Sequence, residues 1–419
     1  MHGVSGFYNT ELMREGGQDD GAVRPVLGLA DAEGSGAGDG RAAAEARPSA
    51  WGVDGGVNGG VDGEAPLELT VVLPVRDEAL NLPGCLASVL GQTEPGFVLG
   101  REWELIVVND GSTDGTRGIA EAAAAEHPAT EVGAAVTVMD APAFETGARG
   151  GFTGKNNACW AGAQAARGRH ILFTDADTVH EAGGLSRSLR EAERHKVSLL
   201  SYSPRQIAVG LVQRSVMPLI FSELASVYPL AEVNDPGRRV AAANGQFLLV
   251  ERGAYFDLGG HRAVGPSVLE DVALARNMKR AQRAIRFRYA PEAVSTRMYR
   301  TTGEMVEGWT KNLALLMPRP VYLAAWRALD FVLFFGLPVV ALGLPHLLGW
   351  QRAAILLLWL RTAFRFYSRA ARSNFRAVDV AISILGVPML VFLLLRSAVG
   401  HRLRRSVTWK GRSYNPNRY

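Results

Sequence analysis

Two aspartates, Asp175 and Asp177, follow an apolar run in the segment RHILFTDADTVH, residues 169–180. The run predicts a buried strand, so both carboxylates would lie just past a strand end. They are costly there unless they are solvated, paired or bound to a cation. Carboxylate oxygens suit Mg²⁺ or Mn²⁺, and a cation that also binds diphosphate needs few protein ligands. The pair indicates such a metal site, although an isolated Asp-x-Asp also fits a solvated turn with a helix-capping aspartate.

Polar side chains follow two earlier apolar runs in the same way. Asp110 lies in VNDGSTD, whereas Pro74, Asp77 and Glu78 lie in PVRDE. An aspartate at a strand end can accept a hydrogen bond from a base N–H or a ribose hydroxyl; the alternative is an ordinary turn with Asp and Ser caps. Lys155 opens a predicted helix, where backbone N–H groups and an ammonium favour an anion. A solvated lysine in the first helical turn is the alternative.

An acidic pair, Glu270 and Asp271, opens another predicted helix in SVLEDVALA. The helix dipole stabilises carboxylates at this position, which is the purely structural explanation. The functional explanation is a carboxylate base that deprotonates an acceptor hydroxyl. The preceding turn contains Asn244, Gly245 and Gln246, which could shape an acceptor site; a plain turn fits equally well.

The elements that carry these residues alternate between strands and helices. Strands are predicted at 67–73, 103–108, 136–139 and 170–173, with helices at 80–91, 113–126 and 155–167 between them. This alternation indicates an α/β fold with a mostly parallel sheet covered on both faces. In such sheets ligands bind outside the carboxyl ends of the strands, which is where the polar residues fall. Later strands are predicted at 197–202, 246–251 and 285–289, with an amphipathic stretch at 207–230 that is either core or interfacial.

Composition divides the chain into further segments. Residues 1–65 are rich in Gly, Ala and acidic residues and predict a disordered leader. Residues 66–320 form the predicted catalytic domain. Residues 321–400 are strongly apolar and predict membrane helices, with candidate crossings at 328–350 and 377–395 and a shorter, re-entrant or interfacial run at 353–360. A buried helical domain is the alternative. Residues 401–419 form a basic tail.

Charge indicates how the chain would sit on a membrane. The net charge is +4 despite an acidic leader, so the remainder is basic. A basic body beside apolar segments fits an anionic membrane and a phosphate-bearing substrate. The positive-inside rule places the tail and the arginines at 361–376 in the cytosol, which predicts a multi-pass protein of the cytoplasmic membrane with its catalytic domain facing the cytosol. No known nucleic-acid module is present, so nucleic acid is not expected as a partner; no oligomeric state is indicated.

Cysteine usage fits the same compartment. The two cysteines, Cys85 and Cys159, are far apart in predicted helices and allow no disulfide framework or CxxC zinc pattern. A reducing, cytosolic setting is therefore expected. The N-terminal segment shows no basic-then-apolar signal-peptide pattern.

Six motifs in order, PVRDE, VVNDGSTD, TGKNNA, FTDAD, NGQF and LEDVALA, resemble glycosyltransferase family 2, whose members have the GT-A fold. The trailing STRMYR, GWTKN and TWKGRSY resemble the membrane-associated, lipid-glycosylating branch that includes hopanoid-associated and carotenoid-type enzymes. The resemblance implies a Rossmann-like domain followed by transmembrane helices, a nucleotide-sugar donor and a lipid acceptor.

The resemblance also implies roles for individual residues. Pro74 and Asp77 would lie in the nucleotide pocket, with Asp110 on the uracil of a UDP-sugar and Lys155 near the base or phosphates. Asp175 would contact ribose and metal, Asp177 would be the principal metal ligand, and Asp271 would be the general base of an inverting, in-line displacement.

Two departures from the family pattern refine this expectation. Asp77 stands where the family commonly has Asn, and the Q-x-x-R-W signature of processive synthases is replaced by EGWTKN, residues 307–312. We therefore expect transfer of one sugar rather than polymerisation; a processive synthase or a catalytically silent scaffold is the alternative. The contacts of the missing signature could come from Arg297, Trp309 and Lys311, or from the tail residues Trp409, Lys410 and Arg412. Anchoring at the membrane interface explains these residues equally well.

Overall fold

The computed structural model describes residues 67–143 and 151–401, together with the backbone of two short strands in the tail. The predicted leader lies outside the described residues, as does most of the basic tail. The strands are β1 Leu69–Val75, β2 Trp103–Asn109, β3 Val136–Asp140, β4 His170–Thr174, β5 Thr178–His180, β6 Leu199–Ser203, β7 Arg205–Gln206, β8 Phe247–Glu251, β9 Ile285–Tyr289, β10 Val294–Thr296, β11 Val407–Trp409 and β12 Arg412–Tyr414.

A seven-stranded sheet forms the centre of the N-terminal part, in the order β3-β2-β1-β4-β8-β6-β9. The pairs β1–β2, β2–β3, β1–β4 and β6–β9 are parallel, whereas β8 runs antiparallel to β4 and β6. The mostly parallel sheet confirms the predicted fold class. Parallel strands buried on both faces need continuous apolar runs, and LTVVLPV in β1 is such a run.

Helices cover both faces of this sheet. The helices of this part are α1 Leu82–Leu90, α2 Thr116–Ala125, α3 Gly154–Ala165, α4 Gly184–His195, α5 Gly210–Val227, α6 Leu230–Asn234, α7 Arg252–Asp257, α8 Gly260–Ala263, α9 Glu270–Arg280 and α10 Thr302–Leu316. One apolar core contains side chains of α1, α2 and α4, and the other contains side chains of α3 and α9.

Helix α2 begins three residues later than predicted. Asp114 Oδ1 accepts a hydrogen bond from the backbone N–H of Thr116 at 3.0 Å, and the N–H of Thr113 is bound by Asp77. Residues 113–115 are therefore held as a turn between two loops, and the helix starts only beyond them.

The C-terminal helices are α11 Pro320–Gly343, α12 Gly349–Ala370, α13 Ala377–Ile382 and α14 Val387–Val399, with 3-10 turns at Ala371–Ser373 and Ser383–Gly386. They share a third apolar core with α5 and α10. In the described part of the chain, Pro320–Gly343 and Ala377–Val399 are long and apolar enough to cross a membrane by length and composition; 17 % and 44 % of their most apolar stretches are buried. The amphipathic stretch at 207–230 is thus largely core.

Helix α12 contains both the apolar run at 353–360 and the first arginines that follow it. The side chains of these arginines are partly internal, because Arg365 forms an ion pair with the buried Asp330 of α11 and Arg369 lies 3.3 Å from the same carboxylate. An acidic residue on a neighbouring helix therefore neutralises part of their charge.

Candidate active site

A cavity of about 740 Å³ opens at the carboxyl ends of β1, β2 and β4, with α10 on its far side. Each of these strands ends in polar residues, and parallel strands bring those ends to one sheet edge. The cavity is lined by most of the residues singled out in the sequence: Pro74, Asp77, Glu78, Asp110, Lys155, Asp175, Asp177, Asn244, Gly245, Gln246, Glu270, Asp271 and Lys311.

The loops after β1 and β2 are bound to each other at the cavity wall. Asp77 has a left-handed backbone with φ of 49°, a conformation that Asp and Asn tolerate better than most residues. Its Oδ1 accepts the backbone N–H of Thr113 at 2.7 Å. Arg76 donates to the carbonyl oxygen of Asp110 at 2.9 Å, and its guanidinium lies 3.8 Å from that residue's carboxylate. Asp77 therefore shapes the pocket as well as lining it.

Lys155 connects the two acidic motifs. Its Nζ lies 2.8 Å from Asp175 Oδ1 and 3.0 Å from Glu270 Oε1. Helix α3 aims this side chain because Thr153 caps its first turn by accepting the N–H of Asn156. Burial and the neighbouring carboxylates act in opposite directions on Lys155, and the carboxylates raise its pKa well above the ordinary value. The ammonium is thus engaged by two carboxylates, in a position where the sequence suggested only an anion contact.

Asp177 lies in the same wall and contacts an amide. Gln246 Nε2 donates to both carboxylate oxygens of Asp177, at 3.3 and 3.2 Å, and to Thr296 Oγ1 at 3.0 Å. Burial, followed by the charges of Asp175 and Glu78, raises the pKa of Asp177 to about 7. Burial also raises the pKa of Asp175, although Lys155 opposes it. Crowded carboxylates of this kind are stabilised by a cation.

The candidate base Asp271 is held by backbone groups. Its Oδ2 accepts the N–H of Gly245 at 2.9 Å and its Oδ1 accepts the N–H of Val272 at 2.7 Å. Burial and the charge of Glu270 raise the pKa of Asp271 to about 7. A Cβ at Gly245 would lie 3.1 Å from Lys155 Nζ, so glycine allows this close approach. Asn244 shapes the turn, since its Oδ1 accepts the N–H of Gln246.

Lys311 and Trp309, two residues of α10 that were predicted on the acceptor side, lie in different surroundings. Lys311 lines the cavity, and burial lowers the pKa of its ammonium. Trp309 instead lies in the third apolar core, where its Nε1 donates to the sulfur of Met217 at 3.3 Å. Two residues along a helix turn a side chain by about 200°, so Trp309 and Lys311 point to opposite sides. Trp309 is neither an acceptor contact nor an interface anchor.

A divalent cation at this site would be bound by Asp175 and Asp177 and by oxygens of the donor diphosphate. In the described ranges no group of three or more His, Cys, Asp and Glu side chains forms a ready ligand set. Asp175 and Asp177 nevertheless fit a hard cation, because both carboxylates line one cavity and burial with the charge of Asp175 raises the pKa of Asp177. Two carboxylates leave positions for diphosphate oxygens.

Several residues that line the cavity were not predicted from the sequence. Tyr299, Arg300 and Asn312 line the cavity; Arg300 binds the side chain of Asn81 at 2.7 Å. Tyr299 packs directly over Gly308, where a Cβ would lie 2.5 Å from the tyrosine oxygen. The motif STRMYR contains two of these residues, but its place beside the cavity depends on β10, whose pairing the sequence did not indicate.

Residues 70–226 match the family model described as glycosyl transferase family 2. The chain is 27% identical over 254 residues to 4,4'-diaponeurosporenoate glycosyltransferase from Staphylococcus aureus (strain MRSA252), covering 59% of this chain and 60% of that protein. The chain thus spans about three-fifths of the length of the curated relatives it matches. The match to the glycosyl transferase family 2 model covers residues 70–226, within the part of the chain that forms the seven-stranded sheet.

Two solved structures are similar at lower identity. The mannosyltransferase PcManGT from Pyrobaculum calidifontis, in complex with GDP-Man and Mn2+, is 18% identical with a TM-score of 0.44, covering 80% of this chain and 89% of that one. S. aureus TarS is 13% identical with a TM-score of 0.38, covering 84% and 60%. The assignment of the domain rests on the family match and the strand order.

Proposed function

We propose that this chain transfers a single sugar from a nucleotide-sugar, a UDP-sugar, to a membrane lipid or isoprenoid-type acceptor, with inversion at the anomeric carbon. The observation that carries the proposal is the double contact of Lys155. It joins Asp175 of the Asp-x-Asp motif to Glu270, which is adjacent to the candidate base Asp271. Donor-binding and base-bearing segments therefore share one cavity, as a direct transfer requires.

The donor would occupy the side of the cavity formed by the ends of β1, β2 and β4. Asp110 would bind the base, with Pro74, Asp77 and Glu78 in the same pocket; all four residues line the cavity. Asp177 and Asp175 would hold Mg²⁺ or Mn²⁺ together with diphosphate oxygens. When bound, the cation supplies Lewis-acid stabilisation of the charge on the leaving diphosphate.

Asp271 would accept the proton of the acceptor hydroxyl. The hydroxyl oxygen forms the new bond to the anomeric carbon while the bond to the diphosphate oxygen breaks, and the nucleoside diphosphate leaves. The backbone N–H groups of Gly245 and Val272 fix both oxygens of Asp271, so its orientation is set before substrate binds. Asn244, Gly245, Gln246 and Lys311 would contact the acceptor side.

The acceptor class rests on the C-terminal helices and on the relatives. The two candidate spans share an apolar core with α10 and α5, and the curated relative is named 4,4'-diaponeurosporenoate glycosyltransferase. We propose that the protein is bound to the cytoplasmic membrane with this cavity facing the cytosol, where nucleotide-sugars are made.

The direct test offers radiolabelled UDP-sugars, one at a time, to the purified full-length protein with total membrane lipids and Mg²⁺ or Mn²⁺. A labelled lipid bearing one sugar supports the proposal. Long chains would show a processive synthase, and nucleotide binding without turnover in any lipid extract would show a silent scaffold; either result overturns it. The Asp271→Asn variant is the control for chemistry at this site.

A further inference from the structure

The two ends of the candidate span Ala377–Val399 are bound to α5 and α10, two helices beside the cavity. At its start, Asp379 Oδ1 binds Arg214 Nε at 2.6 Å. The residue before Arg214, Gln213, donates to the carbonyl oxygen of Tyr299 at 3.4 Å, and Tyr299 lines the cavity. The start of the span therefore lies next to the cavity wall.

The end of the same span is bound to α10. Ser397 Oγ donates to the carbonyl oxygen of Thr310 at 2.6 Å and accepts the N–H of Ala314 at 2.9 Å. Just beyond, His401 Nε2 lies 2.8 Å from the carbonyl oxygen of Lys311, whose side chain also lines the cavity. Both ends of Ala377–Val399 thus attach to helices beside one cavity.

This arrangement is incompatible with a crossing. A helix that spans the ~30 Å of hydrocarbon has its ends on opposite sides of the bilayer. The walls of one nucleotide-sugar cavity would then be separated by the membrane, although Tyr299 packs directly on Gly308 of α10. The α-helical pattern of the segment is also interrupted by a 3-10 turn at Ser383–Gly386, and a Cβ at Gly386 would lie 2.4 Å from the backbone oxygen of Ser215. Part of its apolar surface packs against α5 and α10.

The remaining candidate, α11, forms a hairpin with α12, and both ends of the hairpin return to the catalytic domain. One face of the first half of α11 is packed on protein, with Ala324, Arg327 and Asp330 buried. Arg327 Nε lies 2.9 Å from Glu223 of α5, and the buried Asp330 pairs with Arg365 of α12. This charged layer lies at the level of α5.

The outer part of the hairpin, beyond Asp330, carries exposed apolar side chains, including Val339 and Leu342. Val321, Tyr322, Trp326 and Leu329 are exposed as well, but they belong to the half of α11 that contacts Glu223 of α5 through Arg327. From Asp330 to Gly343 the helix extends about 20 Å at ~1.5 Å per residue, which is less than the ~30 Å of hydrocarbon. The outer hairpin is therefore long enough to enter one leaflet and too short to reach the opposite surface.

We propose that the protein is monotopic: the α11–α12 hairpin enters one leaflet and returns, and Ala377–Val399 lies against the catalytic domain without crossing. The inference rests on the proposed membrane binding and replaces the multi-pass arrangement expected from the sequence. The partner surface is a single leaflet, entered from the side that carries the catalytic cavity.

Cysteine accessibility tests the proposal in the full-length protein. The chain has two cysteines, and both are buried. Exposed positions are replaced one at a time: Val378→Cys and Val399→Cys at the ends of the candidate span, and His346→Cys and Leu348→Cys at the hairpin tip. Val98→Cys, in a loop of the catalytic domain, is the matched control. A membrane-impermeant maleimide is added to sealed inverted and right-side-out membrane vesicles, then again after detergent.

We expect Val98→Cys to react with the maleimide in only one of the two vesicle types. In the other vesicle type none of the four test variants should react. All five variants should react after detergent is added. Reaction of Val378→Cys and Val399→Cys from opposite faces would overturn the proposal for the candidate span. Reaction of either tip variant from the face opposite to Val98→Cys would overturn it for the hairpin. Full release of the protein from the vesicles by a salt wash would instead refute membrane insertion, and leaves the sugar-transfer assay to decide the activity separately.

Discussion

The Nζ atom of Lys155 lies 3.0 Å from Oε1 of Glu270, across 115 residues of sequence. The same ammonium holds Asp175, so it balances two carboxylates that would otherwise repel each other. The contact fixes the start of α9, and with it Asp271, relative to the end of β4.

Lys155→Met should therefore misplace Asp175 and Glu270 together. We expect kcat/KM for transfer to fall on the order of 100-fold, the scale of a small misplacement of catalytic groups. Lys196→Met, at an exposed lysine outside the cavity, is the matched control and should leave transfer unchanged. Steady-state kinetics with the labelled donor measure both, and near-normal activity of Lys155→Met would show that the two motifs need no cationic link.

Asp271→Asn should remove the base and keep the shape of the site, because an amide oxygen can still accept one of the two backbone N–H bonds. General-base catalysis typically contributes about 10²–10⁴-fold, so transfer should fall within that range while nucleotide affinity changes little. Calorimetric titration with UDP separates the two effects. A parallel loss of nucleotide binding would indicate that Asp271 serves the donor side instead.

Metal dependence should reside in the two aspartates after β4. Asp177→Asn leaves one carboxylate for the cation, so we expect the Mn²⁺ concentration for half-maximal activity to rise about tenfold or more, and EDTA to abolish transfer in the wild type. Binding of Mn²⁺ followed by electron paramagnetic resonance provides a readout besides activity. Asp257→Asn, on the exposed end of α7, should behave as wild type.

Two glycines of α10 should respond in opposite directions to alanine. At Gly308 a Cβ would lie 2.5 Å from the buried Tyr299 oxygen, whereas at Gly303 the nearest atom, Thr301 Oγ1, is 3.8 Å away. Gly308→Ala should lower the free energy of unfolding by about 1–3 kcal/mol through overpacking. Gly303→Ala should raise it by about 0.5–1 kcal/mol through helix propensity. Thermal unfolding in detergent compares them, and equal effects would contradict the packing of Tyr299 on Gly308.

His261 should make stability depend on pH. The ring is buried, its Nδ1 lies 2.8 Å from the hydroxyl of Tyr255, and burial lowers its pKa to about 3. The unfolded chain binds this proton near the ordinary pKa of ~6.5, so its contribution is complete above that pH and is lost as the pH falls toward 3, by up to about 1.4 kcal/mol per pH unit.

His261→Gln should therefore give a shallower loss of stability between pH 6.5 and 5 than the wild type. Unfolding by urea at several pH values measures the slopes. An unchanged slope in His261→Gln would assign the pH dependence to the other buried histidines.

The strand ends were predictable because hydrophobic runs and the parallel-sheet rule depend on local sequence. Asp110, Lys155 and Asp175 all line one cavity for that reason. The partner of Lys155 was not predictable, since Glu270 arrives from a distant helix whose angle is set by tertiary packing. Trp309 shows the same limit: helical spacing gives its angle to Lys311, but which of the two faces the cavity depends on α5.

The membrane segment shows where composition is insufficient. Length and hydropathy single out Ala377–Val399 as a candidate span. Neither quantity reveals that Asp379 and Ser397 bind the catalytic domain. Similarly, the spacing of the arginines of α12 gave no sign that the buried Asp330 of α11 is the partner of Arg365. Hydropathy reports how apolar a segment is. Whether protein or lipid covers that segment depends on the neighbouring helices.

The attachment of both ends of Ala377–Val399 to helices beside the cavity has a consequence for the fate of the product. A helix held in this way cannot line a passage through the bilayer, and the short α11–α12 hairpin offers no second wall for one. The glycosylated lipid would be released into the leaflet from which its acceptor came. Display of that lipid on the other surface would then require flip-flop by a separate transporter.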